Sequence, residues 1–396
     1  MAGISWLPCI LEKEHMLMYD KITAGSMCYF RLSLPTYQEG IWHTQIWIAE
    51  EEQLPHLAGP SSAVGDLHGR SPKEEEVEDN SYLFCKQEIN VTVVSQFCLL
   101  GFNISQYLRI SLFCLLLVVY CGTICGNLLI IILVSISKNL QSPMYFFISQ
   151  LSIGDILLTT DIVPNLLHIL LNNGGIIPFI DCITQFYIFG SIETLECFLL
   201  TVMSYDRYMA ICNPLHYTSI MTAQFCVKMG IICWFYGFSI NAIYTITTAN
   251  LTFCGPNIIN HLFCDILPLL ELSCSDTSIV HLEMYFIGFP NVFIPTTIIV
   301  LSYTCIVLAV LRIPSSTGRR KAFSTCSSHL IVVSIFYWTL FSVYVVPTKG
   351  LTLSMSKILS LLYTVFTPFI NPIIYSLRNN EIRKAVKETL HRLMGW

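Results

Sequence analysis

Over 396 residues the chain is 54% hydrophobic, only 12% of it is charged, and its formal net charge is −5. Soluble domains carry about twice that charged fraction, so these few charges cannot clothe a water-facing surface, and a mean hydropathy of +0.62 marks an integral membrane protein. No polar region of catalytic-domain size remains, and there is no nucleophile–base set, nucleotide-binding loop or CxxC pair with zinc-like partners, which argues against an enzyme, a metal site or a nucleic-acid partner.

Residues 1–88 differ in character from the rest of the chain. They mix short apolar patches with breaks such as Gly59-Pro60-Ser61-Ser62 and the acidic run Glu74-Glu75-Glu76-Val77-Glu78-Asp79. No apolar run there nears the roughly 18 residues that suggest a span. Ile4 to Leu11 has the look of a very short signal core, without a basic flank or a clear cleavage site. This stretch is expected to be disordered or to be an upstream over-extension of the gene, with a functional extracellular domain as the remaining alternative. Residues 89–107 read as a short extracellular segment.

Seven apolar segments come next, at about 108–136, 143–170, 182–208, 224–247, 280–311, 322–346 and 353–377, each long enough to cross a bilayer. In lipid each must satisfy its own backbone hydrogen bonds, so helices are predicted. The fold class is therefore an all-α membrane protein, a seven-helix bundle over residues 108–377. Pro290, Pro295, Pro368 and Pro372 lie within spans and predict kinks. In the tail, residues 378–396, Ile382, Val386, Leu390 and Leu393 recur at helical spacing with bases opposite, predicting a short amphipathic helix along the inner leaflet.

Basic residues set the orientation. Lys138, Arg207, Arg312, Arg319, Arg320, Lys321 and the tail bases Arg378, Arg383, Lys384, Lys387 and Arg392 fall on one side, and Asp265, Glu271 and Asp276 on the other. By the positive-inside rule the tail is cytoplasmic, and an odd number of spans puts the region before the first helix outside. The sequons at Asn90 and Asn250 fall on that outer side, as does a third at Asn103, too near the membrane for use.

Three groups of residues carry the chemistry. Asp206 and Arg207 sit side by side at the end of the third segment, as either a snorkelling helix end or a functional pair facing the bundle. Cys182, Cys254, Cys264 and Cys274 lie outside, where disulfides form. A bridge from Cys182 into the loop after the fourth segment would pin that loop over the bundle mouth, but sequence leaves the connectivity open. Asn127, Asp155, Glu196 and Asn371 are polar groups within spans. Two intramembrane carboxylates suit a cation such as sodium or a shared proton, or else a polar network that ties helices together.

Pro143-Met-Tyr-Phe-Phe-Ile-Ser-Gln-Leu-Ser152 with Asp155, Met203-Ser-Tyr-Asp-Arg-Tyr-Met-Ala-Ile-Cys212, Ser302-Tyr303, Lys321-Ala-Phe-Ser-Thr-Cys-Ser-Ser-His-Leu330 and Pro368-Phe-Ile-Asn-Pro-Ile-Ile-Tyr-Ser-Leu-Arg-Asn379 stand in order. They resemble the signature blocks of vertebrate olfactory receptors, which are rhodopsin-like G-protein-coupled receptors, over about residues 89–392. The three-cysteine loop is similar to that of the terrestrial, class II, subgroup. The resemblance implies bridges Cys182–Cys264 and Cys254–Cys274, and an interior sodium-type site at Asp155, Glu196 and Asn371. It also implies G-protein coupling and activation through Asp206, Arg207, Tyr208, Tyr303 and Tyr375, with Tyr337 at the switch position of the sixth helix. Ser204 stands where the family has alanine, and the 88-residue leader is the larger departure.

The ligand pocket is then expected in the outer half, between the third, fifth, sixth and seventh helices. Helical phase from Arg207 and Tyr303 points Phe189, Gly190, Glu193, Thr194, Ile287 and Asn291 inward, joined by Tyr337, Phe341, Tyr344 and Thr364. Such an aromatic, sparsely polar lining suits small volatile molecules, and Glu193 hints at a hydrogen-bonding or amine-bearing one. The expected function is an odorant receptor of the plasma membrane that signals through a stimulatory olfactory-type G protein and cyclic AMP. A small-molecule receptor outside the nose is the alternative. A transporter or channel would favour internal repeats, and none is apparent.

Overall fold

The computed structural model describes residues 36–38, 41–43, 94–254, 257–344 and 353–394. The chain divides into two units, Met1–Lys73 and Glu74–Trp396. In the first, β1 (Thr36–Gln38) pairs antiparallel with β2 (Ile41–His43), with Tyr37 opposite Trp42. The rest of the leader lies outside the described residues, so the expectation of disorder there is not addressed.

The second unit holds seven helices long and apolar enough to cross a membrane. They are α1 (Gln106–Ile136), α2 (Pro143–Asn172), α3 (Phe179–Cys212), α5 (Ala223–Ala249), the fifth span Ser278–Leu311, a sixth within α9 (Ser316–Tyr344), and the seventh, Met355–Ser376. The short α4 (Pro214–Ile220) follows the third span. The third span is the central post: 72% of its apolar window is buried, against 28% for the first and fourth spans and 22% for the fifth. Those less buried spans turn apolar side chains such as Val118, Phe235, Ile231, Phe286 and Leu301 outward, as a lipid-facing surface requires. Close approach of the third and fourth spans depends on Gly237, where a Cβ would stand 2.8 Å from the Ser191 carbonyl oxygen.

The prolines are accommodated by widening rather than breaking the helices. The fifth span is built from α7 (Ser278–Glu283), a π turn (Met284–Gly288) and α8 (Phe289–Leu311). The seventh is α10 (Leu353–Leu361), a π turn (Leu362–Phe366) and α11 (Thr367–Arg378). A proline clashes with the carbonyl four residues before it. For Pro290 and Pro368 those carbonyls belong to Phe286 and Thr364, and each lies inside its π turn.

One end of the bundle is closed by a cap that the helical reading did not anticipate. Strand β3 (Gln96–Leu99) lies between β4 (Gly175–Pro178), antiparallel, and β5 (Ile258–Ile259), parallel. Phe97, Leu99, Phe253, Ile259 and Leu269 form its own apolar core with Cys182 and Cys264. The short α6 (Ile266–Glu271) is capped by Asp265, whose carboxylate accepts from the Ile266 N–H at 2.7 Å. Disulfides join Cys182 to Cys264 and Cys254 to Cys274. Cys98, which the sequence reading passed over, is disulfide-bonded as well.

At the opposite end α12 (Asn380–Met394) is the amphipathic helix expected in the tail. Ile382 and Ala385 are buried, while Arg383 and Lys384 are exposed. Its start is fixed by Asn379, whose side-chain oxygen accepts from the Tyr145 hydroxyl at 3.0 Å and from the Glu381 N–H at 3.0 Å.

Candidate functional site

Three polar zones lie along the third span. At the end away from the disulfides, Asp206 is fully buried and Arg207 is 8% exposed. The guanidinium donates to Asp206 Oδ2 through Nε at 2.9 Å and through Nη2. The second carboxylate oxygen accepts from the Tyr217 hydroxyl, in α4, at 2.9 Å. Burial, reinforced by the Asp206 charge, pushes the Tyr217 hydroxyl up, so it stays protonated and serves as a donor. Sequence pointed to Asp206 and Arg207 through charge at the end of an apolar run; nothing in spacing singled out Tyr217. Tyr208 stacks beside Tyr205 at 6.4 Å and takes no part in the pair. Ser204 is absorbed by its own helix, donating to the Thr201 carbonyl at 2.7 Å.

Tyr303 and Tyr375 both point into the bundle, at 8% and 1% exposure. The Tyr303 hydroxyl meets His329 Nδ1 at 2.6 Å, tying the fifth span to the sixth. His329 sits in the quoted Lys321–Leu330 block, but a histidine among serines and threonines carries no signal of its own. The Tyr375 hydroxyl is buried without a partner.

The middle zone brings together only part of the predicted interior set. Asn371 Nδ2 donates to both Asp155 oxygens, at 3.1 and 3.3 Å, which ties the seventh span to the second. Asn127 instead donates to the Thr123 and Pro368 carbonyls at 3.1 and 3.2 Å. Its oxygen, and Glu196 Oε1, are buried acceptors with no hydrogen-bond partner. Acceptor oxygens left orphaned at bundle depth fit a hard cation, which takes oxygen ligands. No group of three or more His, Cys, Asp or Glu suited to a metal ion is found among the described residues.

Toward the disulfide end, Phe189 packs on Phe263 of the cap at 5.1 Å and on Tyr363 of the seventh span at 5.9 Å. Glu193 lies one turn deeper, 8% exposed, with the Tyr363 hydroxyl beside its carboxyl group and neither oxygen in a well-formed hydrogen bond. Gly190 and Thr194 do not join this face. A Cβ on Gly190 would lie 2.6 Å from Asn241 Oδ1, and Thr194 Oγ1 accepts from Asn241 Nδ2 at 2.9 Å, so both turn to the fourth span. The reason is angular: at 3.6 residues per turn they stand about 100° or more from the Arg207 direction, whereas Phe189 and Glu193 stay near it. Asn291 accepts from the Tyr236 hydroxyl at 2.7 Å, again linking to the fourth span. Ile287 is half-buried in the π turn of the fifth span. Tyr337 is buried, with Phe341 at 6.4 Å and Phe293 beyond it at 5.9 Å from Phe341. Thr364 is buried and bonds its own helix at the Ser360 carbonyl, 2.8 Å away. The Tyr344 side chain lies outside the described residues.

The cap seals this zone with residues that sequence reasoning missed. His261 lies edge-on to Phe263 at 4.8 Å, and its Nε2 meets Ser360 Oγ of the seventh span at 3.3 Å. Gln185 accepts from the Cys264 N–H and donates to the Asp161 carbonyl, both at 3.0 Å. Lys357 donates to Asn260 Oδ1 at 2.6 Å and to the Gly101 carbonyl. Asn250, the sequon at the end of the fourth span, is exposed, and Asn90 lies outside the described residues.

Comparison with known proteins bears on the family and the fold. A family model described as olfactory receptor matches residues 113–392. Olfactory receptor 6N1 of Homo sapiens is 44% identical over 304 residues, 77% of this chain and 97% of that relative. Olfactory receptor 5AP2 of Mus musculus is 44% identical over 305 residues, covering 77% and 96%. In fold the chain is similar to squid rhodopsin, with a TM-score of 0.58 at 18% identity over 74% of this chain and 87% of the other.

Proposed function

The chain belongs to the olfactory receptor family, and from that membership we propose that it binds a small volatile molecule near the disulfide ends of its third, fifth, sixth and seventh spans and activates a heterotrimeric G protein at the other end. It is a multi-pass membrane receptor and not an enzyme. The G protein is of the stimulatory olfactory type, so agonist raises cyclic AMP. The disulfide end and the segment before the first span face outward at the plasma membrane, and α12 lies in the cytoplasm. The basic loops and tail support that orientation.

The observation that carries the reading is the clasp of Asp206 by Arg207 and Tyr217. A buried charge pair is stable only while every partner is in place, so this end has a well-defined resting arrangement. Agonist that contacts the other end better in a second arrangement shifts the population toward it. The inner ends of the fifth and sixth spans then part, the Tyr303–His329 contact breaks, and Arg207 leaves Asp206 for the G protein. Tyr337 and Phe341, below the cap, couple ligand to the sixth span. A sodium ion held by Asp155 and Glu196 would neutralise carboxylates that otherwise oppose packing in the resting state.

Arg207→Ala tests the assignment in a cyclic AMP reporter assay with surface staining. Agonist-evoked signalling is expected to vanish while surface expression stays largely intact. Signalling at normal amplitude in the variant would remove Arg207 from the mechanism.

A further inference from the structure

We propose that the ligand class of this receptor is a small protonated amine whose ammonium group binds the Glu193 carboxylate; this deepens the odorant-receptor reading and rests on it. Glu193 is 8% exposed, and the Tyr363 hydroxyl reaches its carboxyl group too loosely to satisfy either oxygen. A carboxylate removed from water in this way needs a cation or a proton. No basic residue pairs with it among the described residues. The ion pairs Arg207–Asp206 and Lys384–Glu381 lie elsewhere. The charged groups that act on Glu193 are the acidic Glu196, Asp155 and Asp265, so a cation is the ligand complementary to this zone.

The walls suit the rest of such a molecule. Phe189 stands one turn from Glu193, with Phe263 and Tyr363 packed on it, and the Tyr363 side chain lies beside the carboxylate. Aromatic faces attract an ammonium group and accommodate its alkyl body. Glu193 lies 11 residues along the helix from Cys182, about 16 Å at 1.5 Å per residue, so the amine must be small enough to pass beneath the cap. Alkylamines resemble the lysine side chain, with a pKa near 10, and are charged at neutral pH. A neutral alcohol would leave the carboxylate charge uncompensated, and a carboxylic acid would be repelled.

The test uses the full chain, in cells with a cyclic AMP reporter and purified in nanodiscs for melting temperature. The probes are cyclohexylamine and the linear amines from butyl to octyl, each paired with the alcohol of the same skeleton. The amines are expected to evoke signalling at concentrations at least about tenfold below their alcohols and to raise the melting temperature. Glu193→Gln should shift amine responses by on the order of 30-fold, the low end of the loss when one partner of a buried charge pair is removed, and leave alcohol responses in place. Glu193→Asp keeps the charge and should retain part of the amine response, which separates lost charge from lost folding. Equal potency of amines and alcohols, or unchanged amine potency in Glu193→Gln, overturns the proposal. So does a melting-temperature rise with sodium chloride alone that depends on Glu193, because an alkali ion would then hold the site. Signalling evoked by neutral ketones and esters, with amines inert in both assays, sinks the amine assignment and leaves the receptor standing. Glu193-dependent stabilisation by amines without any cyclic AMP sinks the coupling and leaves the amine assignment.

Discussion

Asp206 is held by two donors of different kinds. Arg207 comes from its own helix, while Tyr217 reaches across from α4, so the tyrosine alone reports where α4 sits relative to the third span. A hydrogen bond to a charged group contributes about 1.5–3 kcal/mol. Tyr217→Phe deletes it without touching the ion pair and should weaken the resting arrangement by that order. Ligand-independent cyclic AMP is expected to rise several-fold in the variant, and an unchanged or lower basal level would show that Tyr217 does not restrain Arg207. At this scale sequence revealed the residues that break a local rule: Asp206 and Arg207 are charges ending an apolar run, and Asp155 and Glu196 are carboxylates within one. It concealed Tyr217, His329 and Gln185, because an aromatic or polar residue that finds a partner across the bundle has no periodicity to betray it. The inward phase given to Gly190 and Thr194 failed on angle: at about 100° per residue they stand well away from the Arg207 direction and turn to the fourth span.

The cap is the element that separates this chain from a bare set of spans. Its strands are two to four residues long, too short for an alternating pattern to emerge from the apolar background around Gln96–Leu99. Four cysteines outside the spans did advertise crosslinks, while Cys98 sits in an apolar run that gives no such signal. His261 docks the cap on Ser360 of the seventh span. Burial, with the Lys357 charge adding to it, pushes the His261 imidazole down to about 4. An unfolded or undocked loop would titrate near 6.5 and bind the proton first. The docked state thus keeps its full stability above about pH 6.5 and loses it as pH falls toward 4, by at most about 3 kcal/mol. Protection factors of residues 258–264, taken against the intrinsic exchange rate at each pH, should fall across that window in the wild type. His261→Gln should flatten the dependence; an equal fall in the variant would place the proton elsewhere.

At the scale of the whole molecule, the seven spans were the most legible feature, since length and hydropathy alone specify them in lipid. Which span stands in the middle was less so. The third carries Asp206, Arg207, Glu193, Glu196 and Cys182, and its burial follows from needing partners for all of them. The proposed sodium ion would sit between helices, in the Asp155–Glu196 zone. Replacing sodium chloride by choline chloride should lower the melting temperature of the purified receptor by a few degrees, and Asp155→Asn should abolish the difference. A sodium effect that survives Asp155→Asn would exclude that zone. The π turns of the fifth and seventh spans have a further consequence. Each keeps one residue more than an α turn holds, so each stores slack. Returning that residue to the α ladder would screw one half of the span against the other by about 100° and 1.5 Å, with nearly the same number of backbone hydrogen bonds before and after. Two of the four spans proposed to wall the ligand zone thus carry a joint at which a change from π to α would turn one half of the helix against the other, and the rest of the helix need not unwind.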